Sequence, residues 1–303
     1  EKALIVAPYL LYQDGSTPAI GDSSYGKKWR GYVTRFYQEY GEHIPEVEQF
    51  LSQGQSALDD LLVLEEEGLV VAKHTSSTQE MSKVFFDVGK APIIHGHYDN
   101  LNIVASLAGE KVLVDSGGPY TYEKKDREHF WKSSAHNLLV LNDKEKPEQS
   151  AEIIHYHENE LQIEAKGEIS LGNNVMHQRG FILTKEPQPV LIIVDQISNI
   201  DASDKVDEYW HYSPDLVAEK LDNQITQLPS SSGRTFFQYR LTGHLGNCQF
   251  LTGLYEDNRP SLGWVSPTYN KITPATVQHC INNGNDDLIV NVFTEQKFET
   301  TPN

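Results

Sequence analysis

The sequence is poor in several things at once. It has two cysteines and two methionines, and 25 basic residues stand against 43 acidic ones in a chain of 303. The formal charge of −18 argues against nucleic acid as a partner, because such binding draws its affinity from Lys and Arg neutralising phosphates. No run approaches the roughly 20 apolar residues a membrane span needs; the longest is Pro189-Val190-Leu191-Ile192-Ile193-Val194. Cys248 and Cys280 lack a CxxC spacing and could pair or stay reduced, so they leave the redox compartment open. There is no internal repeat or low-complexity tract, and no nucleophile-elbow pattern surrounds Ser133-Ser134. The chain opens at Glu1 with no charged and apolar leader behind it, as expected of a mature chain or, as favoured here, of a piece of something longer.

What is present suffices for a large packed core. The hydrophobic fraction is 38% and the aromatic fraction 10%, and a chain of this length buries roughly three quarters of its unfolded surface. Residues 1–68 carry helical spacing. Trp29, Tyr32, Val33, Phe36, Tyr37 and Tyr40 share one face of a helix, with Ser24 upstream as a cap and Gly41 as its stop. A second helix is expected from Pro45 to about Gln53, with another turn or two over Ser56–Leu62. These make too little core for an independent domain and look like the tail of a helical region.

From Leu69 to residue 303 the pattern changes to short β-rich runs broken by Gly, Pro, Asn and Asp about every ten residues, the mark of an antiparallel sandwich or barrel. Strands are expected at 69–74, 83–88, 101–107, 111–115, 136–142, 151–157, 160–165, 177–184, 190–197, 206–212, 235–241, 247–252, 275–281 and 287–294. So many strands require at least two stacked sheets, since open twisted sheets rarely exceed about ten. The expected fold is therefore mainly β: a large antiparallel β-sandwich preceded by a short helical segment.

Reactive side chains are densest in His95-Gly96-His97-Tyr98-Asp99-Asn100, then Asp115-Ser116-Gly117-Gly118, then Ser134-Ala135-His136-Asn137. In an extended segment His95 and His97 share a face, and with Asp115 and His136 they offer the nitrogen and oxygen donors of a zinc-type site. A hairpin turning at Gly109-Glu110 would set Ala108 opposite Lys111 and Asp115 opposite Val104, leaving His97 roughly 23 Å away at about 3.3 Å per residue. A shared metal thus requires the chain to fold back at Asp99-Asn100, a dipeptide that favours turns. Iron in a cupin-type oxygenase is an alternative for HxH on a β-scaffold, but the glutamate expected a few residues later is missing: Asp99 is too close and Glu110 too far. His155 and His157 form another HxH with no spaced carboxylate, and His211 and His279 read as core or edge residues.

With Pro18–Ser23, Arg127, His177-Gln178-Arg179 and Gly263–Pro267 added, this series resembles the C-terminal part of heparinase II/III-like polysaccharide lyases, the group that includes oligo-alginate lyases. The resemblance implies an N-terminal α/α toroid followed by a β-sandwich, with an anionic polysaccharide bound between them. It implies His97, Asp115 and His136 as ligands of a structural zinc and His95 as a catalytic histidine. The family's catalytic tyrosine and its carboxylate-neutralising asparagine lie upstream in the toroid, and Tyr9, Tyr12 and Tyr25 do not match that tyrosine. Residues 1–68 would then be the end of the toroid part and 69–303 the sandwich, and the chain alone would have negligible turnover. A carbohydrate-binding sandwich without catalysis is the other alternative. For substrate anchoring, Arg127 could hold a carboxylate or sulfate in two-pronged fashion, and Tyr120, Tyr122 or Trp131 could stack on a sugar; the bland alternative is a solvated loop carrying a core aromatic. A periplasmic or secreted location is expected.

Overall fold

The computed structural model describes residues 2–26, 28–41, 43–89, 96–117, 120, 121, 123–145, 150–242, 247–283 and 288–298. Its N-terminal part holds helices α1 (Lys2–Val6), α2 (Trp29–Tyr40) and α3 (Pro45–Gln53). Trp29 and Val33 on α2 meet Val47 and Phe50 on α3, forming a small core with Leu11 and Ile44. The Trp29 and Phe50 rings cross edge to face at 5.0 Å. Gly41 ends α2 at φ 68°, its N–H returning to Tyr37 O at 2.9 Å, the left-handed stop that glycine adopts without a Cβ penalty. Ser24 does not cap this helix: the cap position is Lys28, which makes no capping side-chain hydrogen bond among the described residues. The helical turns expected over Ser56–Leu62 are confined to a 3-10 turn, Gly54–Ala57. Leu61 and Leu62 instead open a strand.

That strand is β1 (Leu61–Leu64), the edge of a five-stranded antiparallel meander with β2 (Leu69–Thr75), β3 (Met81–Asp87), β4 (Asn102–Leu107) and β5 (Glu110–Leu113) in sequential order. Alternation decides its faces. Val70, Ala72, Val84, Phe86, Ile103, Ala105 and Leu107 point into the main core, whereas Val71, Phe85 and Val104 point the other way, onto Tyr12 and the N-terminal segment. Lys83 shares the outer face. It is fully buried, and its Nζ donates to Tyr9 O at 2.9 Å and Leu11 O at 2.7 Å, fixing that segment on the sheet.

Opposite lies an eight-stranded antiparallel sheet, in order Glu219–Lys220, Ile225–Pro229, Thr235–Thr242, Leu288–Thr294, Val190–Ser198, Val175–Thr184, Gln162–Gly172 and Glu152–Glu158. Its inward residues Ile163, Ala165, Phe181, Leu183, Leu191, Ile193 and Phe293 join the same core as the five-stranded sheet. This is the stacked-sheet sandwich anticipated from strand number. A four-stranded sheet, Asn247–Thr252, Thr276–Asn283, Lys205–His211 and Leu139–Leu141, completes the body. Cys248 and Cys280 face each other across its first two strands and are joined as a disulfide.

Two local expectations need correction. The β4–β5 hairpin turns at Ala108-Gly109, with φ 47° and 84°, so Leu107 pairs with Glu110. Two successive positive φ values suit the right-handed twist of a two-residue hairpin. A bulge then shifts the register so that Ala105 faces Leu113. Residues 124–131, read as a candidate loop, form helix α4 (Lys124–Trp131).

Candidate metal centre

The fold-back required between His97 and β4 is present. Asn102 N–H donates to Asp99 O at 2.9 Å, with Leu101 at φ 69° between them. This reversal sets His97 and Asp99 beside the end of β5, where Asp115 lies. His136 arrives from the 3-10 turn Ser133–Ala135 that follows α4. His97, Asp115 and His136 are all buried, and the two imidazole centroids are 5.3 Å apart.

One ligand atom from each of His97, Asp99 and His136 lies within 4.8 Å of the others, so these three side chains could hold a metal ion. Asp115 sits against the same cluster, its carboxylate oxygens 3.1 and 2.9 Å from His136 Nδ1. Gly117 N–H and Asn102 Nδ2 also donate to Asp115. In the sequence Asp99 belongs to the HxHxD run and to a turn-favouring dipeptide, and the expected ligand set of His97, Asp115 and His136 leaves it out. The signal available was its place two residues after His97, which points to one side only after the bend is known.

Several observations fit a cation here. His97 Nδ1 and His136 Nε2 are buried and have no hydrogen-bond partner among the described residues. A Cβ at Gly117 would stand 2.6 Å from Asp115 Oδ1 and 3.1 Å from His97 Nδ1, so only glycine lets the chain pass so close. Desolvation pushes Asp87 and Asp99 above the usual carboxylate range; neighbouring carboxylates add to it, and the histidines oppose it. Burial acts on Asp115 the same way, yet His136 holds it below its ordinary value. Burial disfavours charge on His136 as well, but Asp115 and then Asp99 and Asp87 raise it to about 8. Carboxylates gathered around two imidazoles favour an added positive charge.

Behind the cluster stands a rigid frame. Asn137, fully buried, donates through Nδ2 to Ile103 O at 2.8 Å and Val114 O at 2.9 Å, and its Oδ1 accepts His211 N–H at 2.6 Å. Arg179 Nη1 donates to the carbonyls of Leu101 and Asn137. Arg179 is itself held by Asp195, which also takes His177 Nε2 at 2.6 Å. His211, buried at the edge of this frame, is pushed down to about 4 by burial and then by His136.

The remaining sequence candidates fall as follows. His95 and Tyr122 lie outside the described residues. Tyr120 packs against Phe130 at 5.4 Å. Arg127 on α4 is buried, stacked over Trp131 at 4.5 Å, and its Nη2 is on Asp22 Oδ2. Asp22, from the segment before α2, also places Oδ1 3.2 Å from His97 Nε2, where it accepts when that nitrogen carries the proton. The far side of α4 borders a cavity of about 380 Å³ whose lining includes Lys125, His129, Lys132, Ser134 and Arg259. His155 is an exposed strand residue paired with Glu164, and His279 stacks on Tyr209.

Comparison with known proteins bears on the fold and the family. The fold matches a heparinase III gene product with TM-score 0.80 and 15% identity, over 97% of this chain and 46% of that one. It matches the heparan sulfate lyase HepC from Pedobacter heparinus with TM-score 0.79 and 15% identity, over 94% and 45%. A further heparinase III structure gives 0.79 and 13%, over 97% and 48%. This chain thus spans less than half the length of those structures. No curated protein matches the sequence. The family model described as heparinase II/III-like, C-terminal, matches residues 60–299, and with that span covering most of the sequence the chain belongs to the heparinase II/III-like family.

Proposed function

We propose that this chain is the zinc-bearing sandwich half of a lyase that cleaves a uronic-acid-containing polysaccharide by β-elimination. The observation that carries the proposal is the convergence of His97, Asp99 and His136, with Asp115 against His136. Two imidazoles with carboxylates are a zinc-type donor set. His97, Asp115 and His136 would hold the ion, and Asp99 would supply a fourth donor. Four protein ligands close a tetrahedral site, and closed sites are structural. Bound there, zinc would neutralise the carboxylates and lock the segment that carries His95.

In the elimination, a base removes the proton at C5 of the uronate, charge spreads into the carboxylate, and an acid protonates the departing glycosidic oxygen. His95 is the proposed base, since an imidazole titrates near operating pH. Tyr120, Tyr122 and Arg127 are the proposed substrate-side residues, the last because a guanidinium matches a carboxylate or sulfate in shape and charge. Stabilising the carboxylate charge where it develops and protonating the leaving group would fall to a toroid part of the same protein. The Cys248–Cys280 disulfide supports a periplasmic or secreted location, because such bonds persist in oxidising compartments.

The test is metal analysis of the purified chain, together with an assay for unsaturated uronate. Stoichiometric zinc, lost on His97→Ala, is expected, with product formed by a longer parent protein and not by this chain alone. A chain without zinc, or with iron and oxygen-dependent activity, overturns the proposal. A glycan-binding sandwich without turnover is the second reading. In that case His95→Ala leaves glycan affinity unchanged and no longer parent cleaves.

A further inference from the structure

We infer that Asp22 is a positioning residue of this centre, fixing the His97 ring so that Nε2 is occupied and Nδ1 is left to the metal. Asp22 belongs to a segment outside the 60–299 span of the family model, and its place is set by backbone. Thr17 N–H donates to Gly26 O at 3.0 Å, Ser23 N–H to Ile20 O at 3.2 Å, and Tyr25 N–H to Pro267 O at 3.1 Å. The resulting loop is pinned at its base and to the sandwich, with Gly21 at φ 56° beside Asp22.

The two oxygens of Asp22 face different partners. Oδ1 lies 3.2 Å from His97 Nε2, and Oδ2 takes Arg127 Nη2. The His97 side chain is fully buried and that of Asp22 is 11% exposed, so their contact is shielded from water. Arg127 is held in turn by Trp131, 4.5 Å below its guanidinium. This keeps the carboxylate aimed. A carboxylate accepting one ring N–H is how metal-binding histidines are commonly held in one tautomer and orientation. With Nε2–H donated to Asp22, the lone pair sits on Nδ1, the buried nitrogen that has no hydrogen-bond partner among the described residues. The N-terminal segment therefore completes the centre as well as covering the sheet.

The purpose of this arrangement rests on the proposed metal site, but its test reads the ring directly. Long-range proton–nitrogen NMR on the metal-free, 15N-histidine-labelled chain is expected to show the neutral form of the His97 ring protonated at Nε2. Asp22→Asn should give a mixture of tautomers and lower zinc affinity, by competition with a chromophoric chelator, about tenfold to a hundredfold. Asp14→Asn, on the same segment and paired with Lys111 at 3.3 Å, should change neither. A purely structural role for Asp22 would lower stability without moving the tautomer. His97 protonated at Nδ1 in the wild type, or ring signals unaltered by Asp22→Asn, would overturn the inference. A wild type with the expected tautomer but no zinc affinity would sink the metal proposal and leave the positioning role standing.

Discussion

Arg179 and Asp195 form a two-pronged ion pair in the interior of the eight-stranded sheet, Nε to Oδ1 at 2.7 Å and Nη2 to Oδ2 at 2.9 Å, with both side chains fully buried. They sit on adjacent strands in direct register. The remaining Arg179 donor holds the carbonyls of Leu101 and Asn137, which flank the bend after His97 and the turn carrying His136. A buried charge pair thus carries the frame of the candidate metal centre.

Arg179→Leu should therefore destabilise the chain by about 3–5 kcal/mol, the usual cost of leaving one partner of a buried pair unmatched. Urea unfolding followed by tryptophan fluorescence measures it. Arg179→Leu with Asp195→Leu should recover part of the loss; a double variant worse than the sum of the singles contradicts this account.

The same pair sets an acid limit. Burial alone would raise Asp195, but Arg179 and then His177 hold its carboxyl far below the usual range. A carboxyl depressed in the folded state binds fewer protons than in the unfolded state, so its contribution is complete above the unfolded value of about 3.9 and is lost as pH falls through the folded value. The wild type should lose stability steadily below about pH 4, and the slope should flatten in Asp195→Asn. Equal slopes in a urea series at stepped pH would count against it.

Asp99→Asn and Asp115→Asn separate direct ligation from orientation. If Asp99 is a ligand, Asp99→Asn should weaken zinc by more than tenfold while the tautomer of His136 is unchanged. Asp115→Asn should also disturb His136, whose Nδ1 it contacts at 2.9 Å. Chelator competition combined with imidazole NMR reads both.

Gly117→Ala should cost about 1–3 kcal/mol through crowding and reduce zinc affinity, because the new methyl would stand 2.6 Å from Asp115 Oδ1. Thermal unfolding and chelator competition check it. A variant as stable and as zinc-competent as wild type would show that the loop yields easily.

Phe86→Ala tests the stacking of the two sheets. Phe86 is fully buried and meets Phe181 across the sandwich at 5.9 Å, edge to face. Loss of about 3–5 kcal/mol is expected for such a cavity; a loss below about 1 kcal/mol would mean that the sheets repack freely.

Much of the fold was legible because period-two alternation reports directly on burial. Strands such as Val175–Thr184, where alternate residues are buried, stood out at once. Strand Leu61–Leu64 did not, being short and uniformly half-buried. Helix α4 was hidden by its charge, since Glu123–Lys132 has little apolar periodicity and is held by contacts such as Arg127 with Asp22 and Trp131. The hairpin register failed for a local reason: Ala108 takes a positive φ that its side chain does not advertise.

By itself the sequence determined the sandwich class, the family signature in His97, Asp115 and His136, and the need for a bend at Asp99-Asn100. These follow from spacing and turn preference, which act between near neighbours. Only the tertiary structure decided that Asp99 stands with the two histidines, that Asp22 reaches His97 over a separation of 75 residues, and that Arg179 supports both turns of the centre. Such contacts depend on which faces pack together, and burial strengthens a carboxylate–imidazole contact only after the chain has excluded water from it.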